Sequence, residues 1–136
     1  MIDLFKELGY KTGFYIGNIS NDFYSKLKEN FSLKSGDVND NSLDFVYIDG
    51  IDKSYNNVIN SLNIWSKKVR KGGIISGYDY KVYFKPNPES QVYEGVNQFT
   101  KDNNIQKWFV FGTRIVDASI MHRKYNPSGT FMMEKI

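Results

Sequence analysis

The chain has 136 residues, 40% hydrophobic, 24% charged and 16% aromatic, which suits one globular domain, residues 1–136, and leaves little room for a second. Its net charge is only +3 and its lysines are scattered, so no nucleic-acid footprint is expected. With no cysteine and a single histidine, His122, disulfides, thiolate metal sites and a cysteine nucleophile are excluded, and a Ser-His-Asp triad or multi-histidine metal site nearly so.

The amino terminus, M-I-D-L-F-K-E-L-G-Y, lacks the basic region and long apolar run of a signal peptide. No apolar stretch approaches about 18 residues, so no membrane span is expected and the default location is the cytoplasm. Ile2, Leu4, Phe5 and Leu8 fall roughly on one face of a short helix over residues 2–8, with Gly9 as its stop. A chain that opens in mid-helix suggests an element whose earlier partners are missing. Gly13–Gly17 is a short apolar run bounded by glycines and reads as a buried strand. Asn18 to Asp22 is rich in helix-capping residues, and a helix follows over Asp22–Asn30 with Phe23, Leu27 and Phe31 inward. Residues 32–42 carry polar and turn residues and read as a loop.

The next stretch, Leu43 to Tyr80, organises the chain. Phe45, Val46, Tyr47 and Ile48 are consecutive, apolar and β-branched or aromatic, as in a parallel strand covered on both faces. Asp49-Gly50 ends that strand, and Ser54 can cap a helix. Tyr55, Val58, Ile59, Leu62, Trp65 and Val69 then recur at helical spacing. Lys67, Lys68, Arg70 and Lys71 load its last turn, and Gly72-Gly73 stop it. Ile74–Gly77 forms another strand, leading to Tyr78-Asp79-Tyr80. Two strand ends therefore carry an aspartate each, Asp49 and Asp79. In an open α/β sheet they lie side by side at the carboxyl edge, where ligands bind.

Beyond Tyr80, residues 81–92 read as a loop holding Pro86 and Pro88 beside Tyr83 and Phe84. Gly95–Lys101 begins a helix with Val96 and Phe99 inward. Lys107–Phe111 and Ala118–His122 read as two strands that pair antiparallel. The tail from Tyr125 carries no clear pattern. The alternation implies an α/β fold: a Rossmann-like, mostly parallel sheet, helices on both faces, and an antiparallel carboxyl-terminal strand pair.

The central segments L-D-F-V-Y-I-D-G, S-Y-N-N-V and K-G-G-I-I-S-G-Y-D-Y resemble the second half of class I S-adenosylmethionine-dependent methyltransferases, in the small-molecule O-methyltransferase branch. The likeness extends over about residues 13–124 and is specific in 43–80. It implies methyl transfer from S-adenosylmethionine to a hydroxyl or amine of a small molecule. Asp49 and Asp79 match aspartates that carry catalysis and, in metal-dependent relatives, ligate magnesium. Tyr80 falls where some relatives supply a third ligand. Gly17, Ser20 and Asn21, with Asp49, match positions that border the cofactor, although Ser20 and Asn21 also fit a plain helix cap. Lys53 falls near the place of the family's histidine; an ordinary lysine is protonated at neutral pH and offers no base.

The resemblance also implies that the amino-terminal cofactor-binding part is missing. Residues 1–48 do not hold a glycine-rich first strand, an acid-ended second strand and a third. Gly13–Gly17 is either the third strand or a degenerate first strand joined to the fourth; the match of Gly17–Lys28 favours the third. On this ground the chain is expected to bind S-adenosylmethionine weakly or not at all, and the alternative to an enzyme is a non-catalytic remnant or subunit. It would act through a partner, a second copy or another chain, at an exposed sheet edge. A domain for a different nucleotide is disfavoured because no G-x-G-x-x-G is present.

Overall fold

The computed structural model describes residues 1–50, 52–83, 90–112, 115–116 and 129–136. Among them the elements run α1 (Ile2–Glu7), β1 (Thr12–Ile16), α2 (Asp22–Asn30), β2 (Ser32–Leu33), β3 (Leu43–Ile48) and α3 (Tyr55–Lys68). They continue with β4 (Val69–Tyr80), β5 (Val82–Tyr83), α4 (Val92–Asp102), β6 (Trp108–Phe111), β7 (Ile115–Val116) and β8 (Gly129–Glu134). Six strands form one sheet in the order β2-β1-β3-β4-β8-β6. The first four are parallel, and β8 runs antiparallel to both β4 and β6. A separate short ladder joins β5 to β7 in parallel.

The sheet is covered on both faces, as its continuous apolar strands require. On one face α3 and α4 bury Val46, Ile48, Val58, Leu62, Ile75, Val96 and Phe99. On the other, α1 and α2 close over an aromatic cluster of Phe5, Tyr10, Tyr15, Phe31, Phe45 and Tyr47, with Leu27 and Met132. The α1 stripe narrows to Phe5, which is buried, whereas Leu4 and Leu8 are exposed.

Three expectations about element type or bounds are corrected, on α3, β2 and α4. The α3 helix stops at Lys68, not at Gly72; Val69 already pairs with Leu43, and the register shifts before Ile74 meets Phe45. Residues Arg70 to Gly73 therefore form a hump in β4, and Arg70 and Lys71 are not helical. The β2 strand lies in the stretch that reads as a loop, and α4 starts three residues before Gly95. The partner of β6 in the sheet is β8, from the unpatterned tail; Ala118–His122, His122 included, lies outside the described residues, as do Phe84, Pro86 and Pro88. Methionine has no strong strand preference, but insertion between β4 and β6 buries Phe131, Met132 and Met133 almost completely, and that burial sets the conformation.

Strand order also places the amino-terminal half. In the common doubly wound order 3-2-1-4-5-6 the strand beside the fourth is the first. Here β1 pairs directly with β3, Gly13 with Phe45 through Ile16 with Ile48, so β1 occupies the place that the first strand holds in that order. Beyond it, among the described residues, stands only the two-residue β2, after which residues 34–42 return to β3.

Candidate active site

Because β1, β3 and β4 are parallel, their carboxyl ends share one edge: Ile16-Gly17, Ile48-Asp49 and Asp79-Tyr80. The Asp49 backbone is stitched to β1, its N–H donating to the Ile16 carbonyl at 2.7 Å. Its carboxylate accepts the Gly50 N–H at 2.7 Å. Gly50 holds φ +68°, and a Cβ there would lie 3.5 Å from Gly17 Cα, so this tight turn brings two backbones together at the strand ends.

Asp49 makes no ion pair among the described residues. It opens onto a cleft of about 270 Å³ whose other walls are Tyr15, Asn21, Phe23, Tyr47 and Tyr78. The Tyr15 and Tyr47 rings lie parallel with centroids 5.7 Å apart, and Phe23 tilts against Tyr47 at 4.7 Å. The Tyr15 hydroxyl is buried and has no hydrogen-bond partner among the described residues. Burial pushes the Tyr15 phenol above its ordinary range, and the Asp49 charge adds to it. Burial likewise pushes Tyr47 to about 12, opposed by a hydrogen bond with Thr130 and reinforced by Asp49. Both phenols are therefore neutral at physiological pH, and the cleft carries the single negative charge of Asp49.

Asp79 is at the same edge in a different state. A register shift between Gly77 and Tyr80 and a φ of +71° turn it out of the ladder, leaving the residue only 4% exposed. Lys53, from the loop after β3, pairs with Oδ2, and Lys81 approaches Oδ1 at 3.0 Å. The Lys53 loop is held from below: Gln91 N–H donates to the Lys53 carbonyl at 2.8 Å, and Gln91 Oε1 accepts the Tyr55 N–H at 3.0 Å. Asp49 and Asp79 share a small cavity between β3, β4 and α3 of about 20 Å³, room for about one water.

These residues do not fit a divalent cation. Asp79 has an ammonium on each oxygen, and Tyr80 turns its hydroxyl to Asn97 Nδ2 at 2.8 Å. No group of three His, Asp or Glu side chains stands ready for a metal among the described residues, and magnesium requires several oxygen ligands. The remaining expected positions divide. Gly17 is at the edge beside Gly50. Asn21 lines the cleft and also caps α2, accepting the Phe23 N–H at 2.7 Å. Ser20 lies in the exposed turn before α2, its N–H donating to Asn18 Oδ1 at 2.9 Å, and does not line the cleft. The sequence marks none of Lys81, Tyr15, Phe23, Tyr47 and Tyr78 as a site residue, Phe23 and Tyr47 reading only as apolar positions of a helix and a strand. A signal existed for two of them: once Asp44–Ile48 is paired with Gly13–Gly17, Tyr15 and Tyr47 fall opposite each other on one face.

No family model and no curated protein matches the sequence. Solved structures do. A SAM-dependent methyltransferase from Archaeoglobus fulgidus superposes with a TM-score of 0.63 at 10% identity, covering 98% of this chain and 92% of that one. A putative O-methyltransferase from Klebsiella pneumoniae gives 0.54 at 14% identity, covering 98% and 77%. A SAM-dependent methyltransferase from Thermotoga maritima, described as a possible histamine N-methyltransferase, gives 0.52 at 11% identity, covering 93% and 83%. The chain thus has the fold of the class I methyltransferases, with its antiparallel carboxyl-terminal strands.

Proposed function

We propose that this chain binds S-adenosylmethionine at the Asp49 edge and transfers its methyl group to a hydroxyl or amine of a small molecule. The observation that carries this is the Asp49 cleft at the carboxyl end of a parallel sheet: aromatic walls and, among the described residues, one carboxylate without an ion pair and a buried phenol lacking a partner. Aromatic faces and a carboxylate suit an adenine ring and a cation, and the backbones at Gly17 and Gly50 leave room for close approach. The bound cofactor supplies a methyl group on a positively charged sulfur. The protein's part is positioning and charge placement, which such a displacement chiefly needs. Asp49 holds the positive end in place, and Asn21 offers its amide at the rim. Methyltransferases sharing the fold include ones described as acting on oxygen and on an amine, so the fold leaves the acceptor open between the two.

Calorimetry with S-adenosylhomocysteine tests this reading. Binding in the micromolar range that falls about tenfold or more in Asp49→Asn, as expected for losing one charged contact, supports it. Absence of binding to the folded wild-type chain favours the second reading, a non-catalytic subunit acting through a partner. One feature of the sheet speaks for that alternative: β2 covers β1 only at Thr12 and Gly13, so the β1 edge from Phe14 to Ile16 has no strand beside it on that side among the described residues.

A further inference from the structure

The disagreement between Asp79 and a metal site has its own chemical content. A carboxylate this buried needs a compensating charge, and one ammonium would neutralise it. Two are present: Lys81, whose side chain is 13% exposed, and Lys53, 41% exposed. Among the described residues, these two and Asp79 carry a net charge of +1, which is what a divalent cation on one carboxylate would leave. Lys81 is the inner partner, packed beside the buried acid. Lys53 is the outer one, spanning from the loop after β3 to the end of β4, with a side chain more exposed than that of Lys81. Below it the cavity walls are apolar, formed by Ile48, Val58, Leu62, Val92 and Phe131, and the space is too small for a ligand. Whatever binds here meets Lys53 at the mouth, one strand away from Asp49.

We propose that Lys53 and Lys81 replace a divalent cation at Asp79, so that this edge binds an oxyanion on Lys53 without metal. The ligand class is a small molecule with an acidic hydroxyl, taken as its anion. Calling that molecule the methyl acceptor rests on the reading of function above; the replacement of charge does not. Lys53 is a positioning residue in this arrangement. It holds an anionic oxygen by a charge-assisted hydrogen bond, beside the carboxylate that faces the cofactor cleft. Asp79 keeps both ammoniums in place, and the Gln91 contacts fix the loop that carries Lys53.

The probe is 4-nitrophenol, whose absorbance reports its ionisation, with nitrobenzene as the uncharged control and S-adenosylhomocysteine affinity measured on the same samples. The wild-type chain is expected to bind the phenolate in preference to nitrobenzene and to raise its ionised fraction at fixed pH, equally with magnesium or with chelator. Lys53→Met is expected to lose the spectral shift and weaken binding about tenfold, and Lys53→Arg to retain both. Lys53 is partly exposed, so both variants should keep the wild-type circular dichroism. Equal binding of nitrobenzene and nitrophenolate, a shift that survives Lys53→Met, or binding strengthened by magnesium overturns the proposal. So does Mn²⁺ broadening of amide resonances around Asp79 in the wild-type chain. If the phenolate binds as expected but S-adenosylhomocysteine does not, the charge replacement stands and the methyl-transfer reading falls. If the reverse holds, the proposal falls alone.

Discussion

Asp44 shows what a single carboxylate does at the opposite edge of the sheet from the site. Its oxygens accept the N–H groups of Lys11 at 2.7 Å and Thr12 at 2.8 Å, the Thr12 hydroxyl at 3.1 Å and Arg70 Nε at 2.7 Å. One side chain thus ties β1, β3 and the hump of β4 together. Burial acts to raise its pKa, but the two backbone donors, Arg70 and Thr12 outweigh it, and the carboxyl lies below its ordinary value. A depressed carboxyl stabilises the fold above the unfolded value of 3.8, and that contribution is lost as pH falls through the folded value. Tyr47 works at the other end of the scale. Its pKa is raised from 10.0 to about 12, so its contribution is complete below pH 10 and is lost as pH rises through the folded value. Urea midpoints across pH should therefore fall at both ends. Asp44→Asn should flatten the acid limb and lower stability at neutral pH by about 2 kcal/mol. An unchanged acid limb in that variant would reject the role given to Asp44.

At the scale of elements, the contact that shapes the α3–α4 face is a missing side chain. A Cβ at Gly95 would lie 2.6 Å from Val58 Cγ1 and 2.9 Å from Val58 Cβ. Helix propensity alone makes Gly95→Ala stabilising by about 1 kcal/mol. Overpacking of a core contact costs about 1–3 kcal/mol, and because Val58 is buried it has little room to yield, so the variant should be net destabilised. Val58→Ala placed in the Gly95→Ala background should restore part of the loss, a coupling that denaturation of the double-mutant cycle measures. Additive effects would show that the two helices do not meet through these residues. The same helix pair carries the Gln91 and Lys53 contacts, so this packing also sets where the loop bearing Lys53 can reach.

For the whole molecule, stability should be uneven. The inner strands β3, β4 and β8 are paired on both sides and bury both faces. In contrast, β2 is two residues long at an edge, and α1 anchors by Phe5 with Leu4 and Leu8 exposed. Amide hydrogen exchange should be slowest in β3 and β4 and fastest in β2 and α1, because local opening follows buried contact and pairing. Uniform protection across the sheet would contradict this. The uneven side is also the side that borders the Asp49 cleft, so on the function proposed above bound S-adenosylhomocysteine should slow exchange in β1 and the start of α2 first.

The sequence by itself determined the β3–α3–β4 unit, the two aspartates at its ends, the strand and helix before it, and the mostly parallel class of the sheet. These are local facts: continuous apolar strands, a helical stripe and capping residues write their period into adjacent positions. Only the tertiary structure decided the rest. It placed β1 beside β3 because strand order depends on pairing between distant segments. It drew the methionine-bearing tail between β4 and β6 because burial there outweighs local preference. It also separated two aspartates that look alike in sequence. Asp49 lies against neutral phenols, whereas Asp79 is closed by Lys53 and Lys81. A carboxylate's chemistry follows from the charges brought to it through space, and those charges come from loops whose reach the fold alone sets.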